Sequence, residues 1–430
     1  MSALLDNLLD DAPLVSGPEW LAHVQRDARA TLREGGLPDA RVEAWKYTNL
    51  RQLSLRAMQR GDADAMSRDV DAASLALPGV EHSRVVFVNG ELRRDLSCFP
   101  AAGALSVVPL SSVLADDAGS VKAQMSQQYA EPESAFAQLN TALTGNGIVI
   151  RVAADSKVAE PLHLVFFGAS SDQDLAWSAR LIVELGANSG LQLVEHHVGT
   201  DHAHLGNLVS QFAIADKAQL ELIQIQNGAE ASTLIRRSEA SIASHATLKL
   251  HTLELGGQLV RHDLAINLDG NGARLISRGV FALRGRQHVD SHLDIRHRAR
   301  DTTCDVLWRG VVDNRARGVF HGAITIEQGA DGSDAMLSNK NLLLSTQAEI
   351  DTQPVLVIHA DEVKAAHGAT VGQLDDQALF YMRTRGIAEA EARALLTMAF
   401  CRAALDSINN PALLDALTAM LIERLPVTQS

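Results

Sequence analysis

The chain has 430 residues, and its 52 acidic against 38 basic side chains give a formal charge of −14 and a pI near 5.6. With only 10 Phe, 4 Trp and 3 Tyr it lacks both the positive field that gathers phosphates and the ring platforms that stack bases, which speaks against a nucleic-acid partner. Three scattered cysteines, Cys98, Cys304 and Cys401, suit a reducing compartment and are too few for an autonomous four-thiolate zinc or iron-sulfur site.

The N-terminus, Met1 to Pro13, carries Asp6, Asp10 and Asp11 without a basic side chain, and no apolar run approaches the ~18 residues of a membrane span, so the expected location is the cytoplasm. From Glu19 to Arg33 the apolar positions Trp20, Leu21, Val24, Ala28 and Leu32 recur at helical spacing, with Pro18 before them and Gly35-Gly36 after. Short β-rich runs follow at Arg84 to Val88, Leu162 to Phe166 and Leu181 to Leu185, with one short helix expected at about 133–143 and none between it and Ile358.

Within this stretch an Ala after turn-forming residues, followed by Leu, recurs at Ala187, Ala218, Ala246 and Ala273, at spacings of 31, 28 and 27. Such a period suits stacked strand-turn-strand coils, a β-solenoid in which each coil buries its Leu against its neighbours. An antiparallel sandwich also shows many short strands and stays open as the alternative, because the spacing is irregular later in the chain. The open ends of a solenoid need covers, which the helical termini could supply. Beyond it, Asp375 or Asp376 caps a helix through Leu379, Phe380 and Met382 that ends at Gly386; a second runs from about Glu389 to Ser407, and a third starts at Pro411. The expected division is an N-terminal helical domain (1–80), a β-helix core (81–372) and a C-terminal helical domain (373–430).

No Walker-type phosphate loop, Gly-x-Ser-x-Gly elbow or His-Glu-x-x-His motif occurs, so ATPase, serine-hydrolase and zinc-protease readings lose their main support. The densest metal-capable set is Glu195, His196, His197, Asp201, His202 and His204. On a strand His202 and His204 would share a face and could chelate a metal with one of the earlier pair, but the plainer reading is a polar turn between coils. His288 and His292 would share a face that His297, five residues on, leaves. His367 follows the strand expected at Val355 to Ile358 and precedes the C-terminal helices, with Gly368 and Gly372 permitting unusual backbone shapes; at a domain junction its imidazole could ligate iron or zinc, or serve as a structural hydrogen-bonder. Trp45, Lys46, Tyr47 and Thr48 read as an anchor of one domain on another, with a partner contact as the alternative. Arg383 and Arg385 read as a solvated face.

Three segments resemble the SufB/SufD family of SUF iron-sulfur cluster assembly proteins, its SufD branch in particular. They are Arg41 to Thr48; Gly318 to Gly322 with Asn339 to Ser345 and Ala348 to Pro354; and Ala360 to Gly372 followed by Leu379 to Ile387. The resemblance implies a right-handed parallel β-helix flanked by N- and C-terminal α-helical domains. It also implies a noncatalytic scaffold that pairs with a SufB-like paralogue and binds the SufC ATPase through its C-terminal helical domain. In the family's picture a His of the His367 to Gly372 motif works with a SufB Cys at the heterodimer interface, which makes His367 the candidate ligand for a transient iron-sulfur cluster shared with SufB, or for entering iron. Ala365 stands where some SufD sequences carry a Cys, so thiolate help at that spot is absent. A homodimer in isolation stays open; a flavin does too, although no residue pattern supports one. The rivals are a β-helix enzyme acting on acidic polysaccharide and a purely architectural partner that contributes no cluster ligand.

Overall fold

The computed structural model describes residues 2–10, 12–101 and 103–425. From Gly147 onward, alternation of aliphatic and polar residues produces strands, and a turn with a left-handed residue bends the chain between the two walls of a coil. Successive strands fall alternately into two ten-stranded sheets. One receives Leu175–Leu185, Leu205–Ile214, Thr233–Ile242 and their successors to Glu349–Ile358. The other receives Leu162–Gly168, Gly190–Gly199, Gln219–Asn227 and their successors to Lys364–Gly372. Pairing along both stacks is parallel, so the fold is a β-solenoid and not a sandwich of antiparallel hairpins. Among the described residues, no helix falls between Leu143 and Asp376.

The expected repeat is real, with one error of register. Ala218, Ala246 and Ala273 are fully buried and each follows a left-handed residue, Lys217, His245 or Gly272. Ala187 does not belong to this column: it precedes the left-handed Asn188, and Ser189 takes the place. The column continues through Thr302 and Ser333, whose hydroxyls lie 2.7 Å apart, after the left-handed Asp301 and Gly332. What the turn demands is a small buried residue, which hydroxyls satisfy by bonding to one another. Above it, Leu191, Leu220, Leu248, Leu275, Cys304, Ala335 and Ala365 stand in register. Burying each such leucine contributes about 1.5–3 kcal/mol.

The helices cover the faces of the stack, contrary to the expectation that they close its ends. Helices Ala3–Leu9, Glu19–Gly35 and Ala135–Leu143 set Leu8, Ala28 and Leu139 in one cluster with Ala176, Leu205 and Ile235, on the outer face of the first sheet. Helices Glu389–Arg402 and Pro411–Arg424 set Cys401, Leu413, Leu417 and Leu421 against Ile223, Ile225, Leu253 and Val280 of the second. The starting end of the stack is closed by strands that turn back antiparallel, Leu105–Pro109 on one wall and Glu91–Leu92 on the other. Among the described residues nothing covers the finishing end: Glu349–Ile358 and Lys364–Gly372 are the last rungs of their sheets, and their residues are exposed or half-buried.

Candidate functional site

His367 sits on that uncovered end. It was expected in a junction after the last strand; it lies instead within a strand, Lys364–Gly372, in register with Leu337. Neither Gly368 nor Gly372 has a left-handed backbone, so the glycines are not there for unusual shapes. The column beneath His367 runs Leu250, Ser277, Val306 and Leu337, all buried and facing the lumen of the solenoid. His367 is therefore the next lumen-facing rung, exposed because no coil follows it.

One layer below, the lumen becomes polar. Asn341 Nδ2 donates to Asn339 Oδ1 at 2.5 Å and to the Thr370 carbonyl at 3.1 Å, and Thr352 Oγ1 donates to Asn339 Oδ1 at 2.8 Å. These bonds fix the last two strands across the lumen mouth. Both strands present a free edge, with Val357, Ile358 and Val371 exposed beside it; unpaired backbone of this kind is a template for a further strand. The end offers the His367 imidazole on one wall, the exposed His359 just past the last strand of the other, an apolar rim and an open ladder.

Among the described residues, no group of three or more His, Cys, Asp or Glu is placed to hold a metal ion, so His367 could supply one ligand and a partner would have to bring the rest. The chain's thiols do not help. Cys98 is exposed but is bridged to Arg84 at the other end of the stack, and Cys401 is on the buried face of the helix Glu389–Arg402. Cys304 is buried beside His297 Nε2 at 3.2 Å, and burial pushes its thiol up to about 12.

The other histidine sets form no metal-holding group among the described residues. Glu195, His196 and His197 lie in the strand Gly190–Gly199 and are buried, so the polar-turn reading fails for them; successive residues on a strand face opposite ways, and Glu195 and His197 enter the lumen. His202 and His204 precede the next strand and stack on each other at 4.5 Å. The Leu175 N–H donates to His204 Nδ1 at 3.1 Å while His204 Nε2 donates to the Ala169 carbonyl at 2.8 Å, which fixes a neutral tautomer and uses both nitrogens. His288 and His292 do share the outer face of their strand, and His297 points into the lumen, as the spacing requires.

Trp45 to Thr48 is the anchor expected. Trp45 is buried, its Nε1 donates to the Glu133 carbonyl at 3.0 Å, and the Arg261 guanidinium lies 4.2 Å over its ring. Thr48 Oγ1 donates to Asp290 Oδ2 at 2.5 Å, and Arg261 NH1 reaches the same oxygen at 2.5 Å. Burial raises the Asp290 carboxyl, but Arg261 and His292 outweigh it and hold the group well below its usual range. Arg383 pairs with Glu389 at 3.3 Å on an exposed face, and Arg385 lies over the Tyr381 ring. Sequence reading missed the buried Arg261–Asp290 pair; its signal was a charge at every second position of a strand, Arg261 with Asp263 and Asp290 with His292.

Comparison with known proteins decides the family. Residues 166–400 match the SUF system FeS cluster assembly SufBD core domain, and residues 16–164 match the SufBD protein N-terminal region. The chain belongs to the SufBD family. An iron-sulfur cluster assembly SufBD family protein of Synechocystis is 30% identical over 412 residues, covering 93% of this chain and 90% of the relative. The SufD protein of Escherichia coli is 28% identical over 412 residues, covering 95% of this chain and 93% of its own. SufD of Bacillus subtilis is 27% identical over 273 residues, 62% of each chain. The resemblance to SufD read from Arg41 to Thr48 and Ala360 to Gly372 thus extends over nearly the whole length. SufBD membership makes the chain a SUF iron-sulfur cluster assembly protein and leaves the polysaccharide-enzyme reading without support. No helix among the described residues is long and apolar enough to cross a membrane.

Proposed function

We propose that this chain is a noncatalytic scaffold subunit of a cytoplasmic SUF complex. It pairs through the open end of its β-helix with a SufB-like paralogue and carries the SufC ATPase on its C-terminal helical domain, residues 373–430. The single observation behind this reading is His367, a lumen-facing rung left exposed on an unpaired strand edge. A partner whose own β-helix abuts that edge would cover the apolar rim and bring thiolates to the imidazole. The nascent cluster, or the iron that enters it, is the cargo, and His367 is its one ligand from this chain; neutral imidazole is a competent ligand for iron. For SufC the supporting feature is the helix Asp376–Thr384, which leaves Phe380 and Tyr381 69% and 59% exposed.

Co-purification from cells expressing all three subunits tests the assembly. The paired change Val357→Lys and Val371→Lys, at exposed positions, is expected to lose the SufB-like subunit and retain SufC. Phe380→Ala with Tyr381→Ala is expected to do the reverse. Recovery of the full complex with both variants would contradict the proposed docking sites.

A further inference from the structure

The middle of the β-helix lumen breaks the aliphatic rule of its neighbours. The lumen-facing rungs Leu164, Leu181 and Leu208 are followed one coil later by Glu195, Ser210 and Arg236. The next rungs of those columns are Gln224, Ser238 and His262, and two of them run on to Thr252 and Ser291. Aromatic layers close the stretch at both ends: Phe166, stacked between Phe87 and Trp177, on one side, and Phe281, Trp308 and Phe320 on the other. A Cβ on Gly279 would meet the Trp308 ring at 2.3 Å, so that seal has no slack.

Between the seals, Arg236 bridges two carboxylates, reaching Glu195 Oε1 at 3.1 Å and Glu254 Oε1 at 2.5 Å. His197 Nε2 lies 2.8 Å from Glu195 Oε1, and Gln224 Nε2 donates to Glu195 Oε2 at 3.1 Å. Burial pushes the Glu195 carboxyl up, yet His197 and Arg236 together hold it down at about 2. These bonds leave much unmade. Among the described residues, the buried Ser210, Thr252 and Ser291 hydroxyls and the buried acceptors Gln224 Oε1 and Glu254 Oε2 have no hydrogen-bond partner, and Arg236 Nε is a buried donor without one. His262 Nδ1, 3.6 Å from Glu254 Oε1, is beyond hydrogen-bonding reach.

We propose that this stretch is a sealed, hydrated chamber, in which a small cluster of ordered water is trapped as the coils close and completes the unpaired groups. Left dry, each such group would forfeit its hydration with nothing in return, and the ionised Glu254 oxygen would forfeit the most. The ligand is water because the set mixes acceptors with donors: a bare cation could satisfy the oxygens but not Arg236 Nε. Ser210 and Ser238 stand at rungs where adjoining coils carry Leu181 and Leu264, so side-chain volume is smaller there, and polar lining holds water where an apolar lining would not.

The test is a high-resolution crystal structure of the chain and a second data set from a xenon-pressurised crystal. Expected are solvent peaks within hydrogen-bonding distance of Glu254 Oε2, Thr252 Oγ1 and Ser291 Oγ, and no xenon between the two aromatic seals. Xenon density there, or side chains repacked against one another with no solvent peak, overturns the proposal. In solution, Ser291→Val removes a hydroxyl that the trapped water would serve, so its unfolding midpoint is expected to fall; a midpoint that is unchanged, or that rises as when a dry void is filled, overturns it too.

Discussion

At the residue scale, the N-terminal anchor shows how one short segment fixes a distant surface. Trp45 and Thr48 converge on Arg261 and Asp290, and Thr48 is 242 residues from its carboxylate partner. Removing the ring empties a buried site and strips the cover from a paired charge. Trp45→Ala is expected to lower stability by about 3–5 kcal/mol in urea unfolding followed by circular dichroism. A loss well under that range would place the ring at the edge of the anchor. Residue type alone revealed that Trp45 and Tyr47 matter in an aromatic-poor chain. It could not reveal Asp290, because a pairing across that separation leaves no local spacing to read. His367 was likewise legible as a candidate from its motif, but its exposure was not: that depends on the chain making no further coil above it.

At the scale of elements, caps and close approaches decide the outcome. Asn410 Oδ1 accepts from the Leu413 N–H at 3.1 Å and its Nδ2 donates to the Gly79 carbonyl at 2.8 Å, so one side chain both caps the helix Pro411–Arg424 and ties it to the N-terminal part of the chain. Asn410→Ala is expected to cost about 1 kcal/mol and to speed amide hydrogen exchange selectively in that helix. Exchange that stays unchanged there would mean that packing alone holds the helix. The strands were readable where aliphatic residues alternate, and the helices where three- and four-residue spacing meets a cap such as Asp375, which accepts from the Gln377 N–H at 2.8 Å. Reading failed where polar residues occupy lumen-facing positions. Glu195 and His197 look like a turn because alternation is judged by polarity, whereas the strand is held by register with Leu164 and Phe166 beneath them. The Ala187 slip has the same root, since Ser189 meets the size requirement of the turn without being apolar.

At the scale of the whole molecule, returning strands close one end of the stack, and among the described residues the other end is uncovered, where the proposed partner would continue it. Its interior also sets a pH response. Burial first, then neighbouring imidazoles, hold His163 and His196 down at about 3, and burial with Arg236 holds His262 at about 4. Unfolded imidazoles take up protons below about 6.5, so between that pH and the folded values the unfolded chain binds more protons and stability falls as pH falls. The carboxylate of Glu195 adds a second loss, from its ordinary 4.5 down towards 2. The unfolding midpoint is therefore expected to be level above pH 6.5, to decline below it and to steepen below pH 4.5. A midpoint unchanged down to pH 5 would contradict the buried neutral imidazoles.

The central claim is that the exposed imidazole at the open end serves the cargo and not the fold. Its most direct test is the iron and sulfide content of the anaerobically purified complex, co-expressed with SufB and SufC, for wild type and His367→Ala. Because His367 is exposed and ends its column, the variant is expected to assemble with undiminished recovery while most of the iron is lost. Equal recovery with unchanged iron would contradict the account and leave this chain a purely architectural partner.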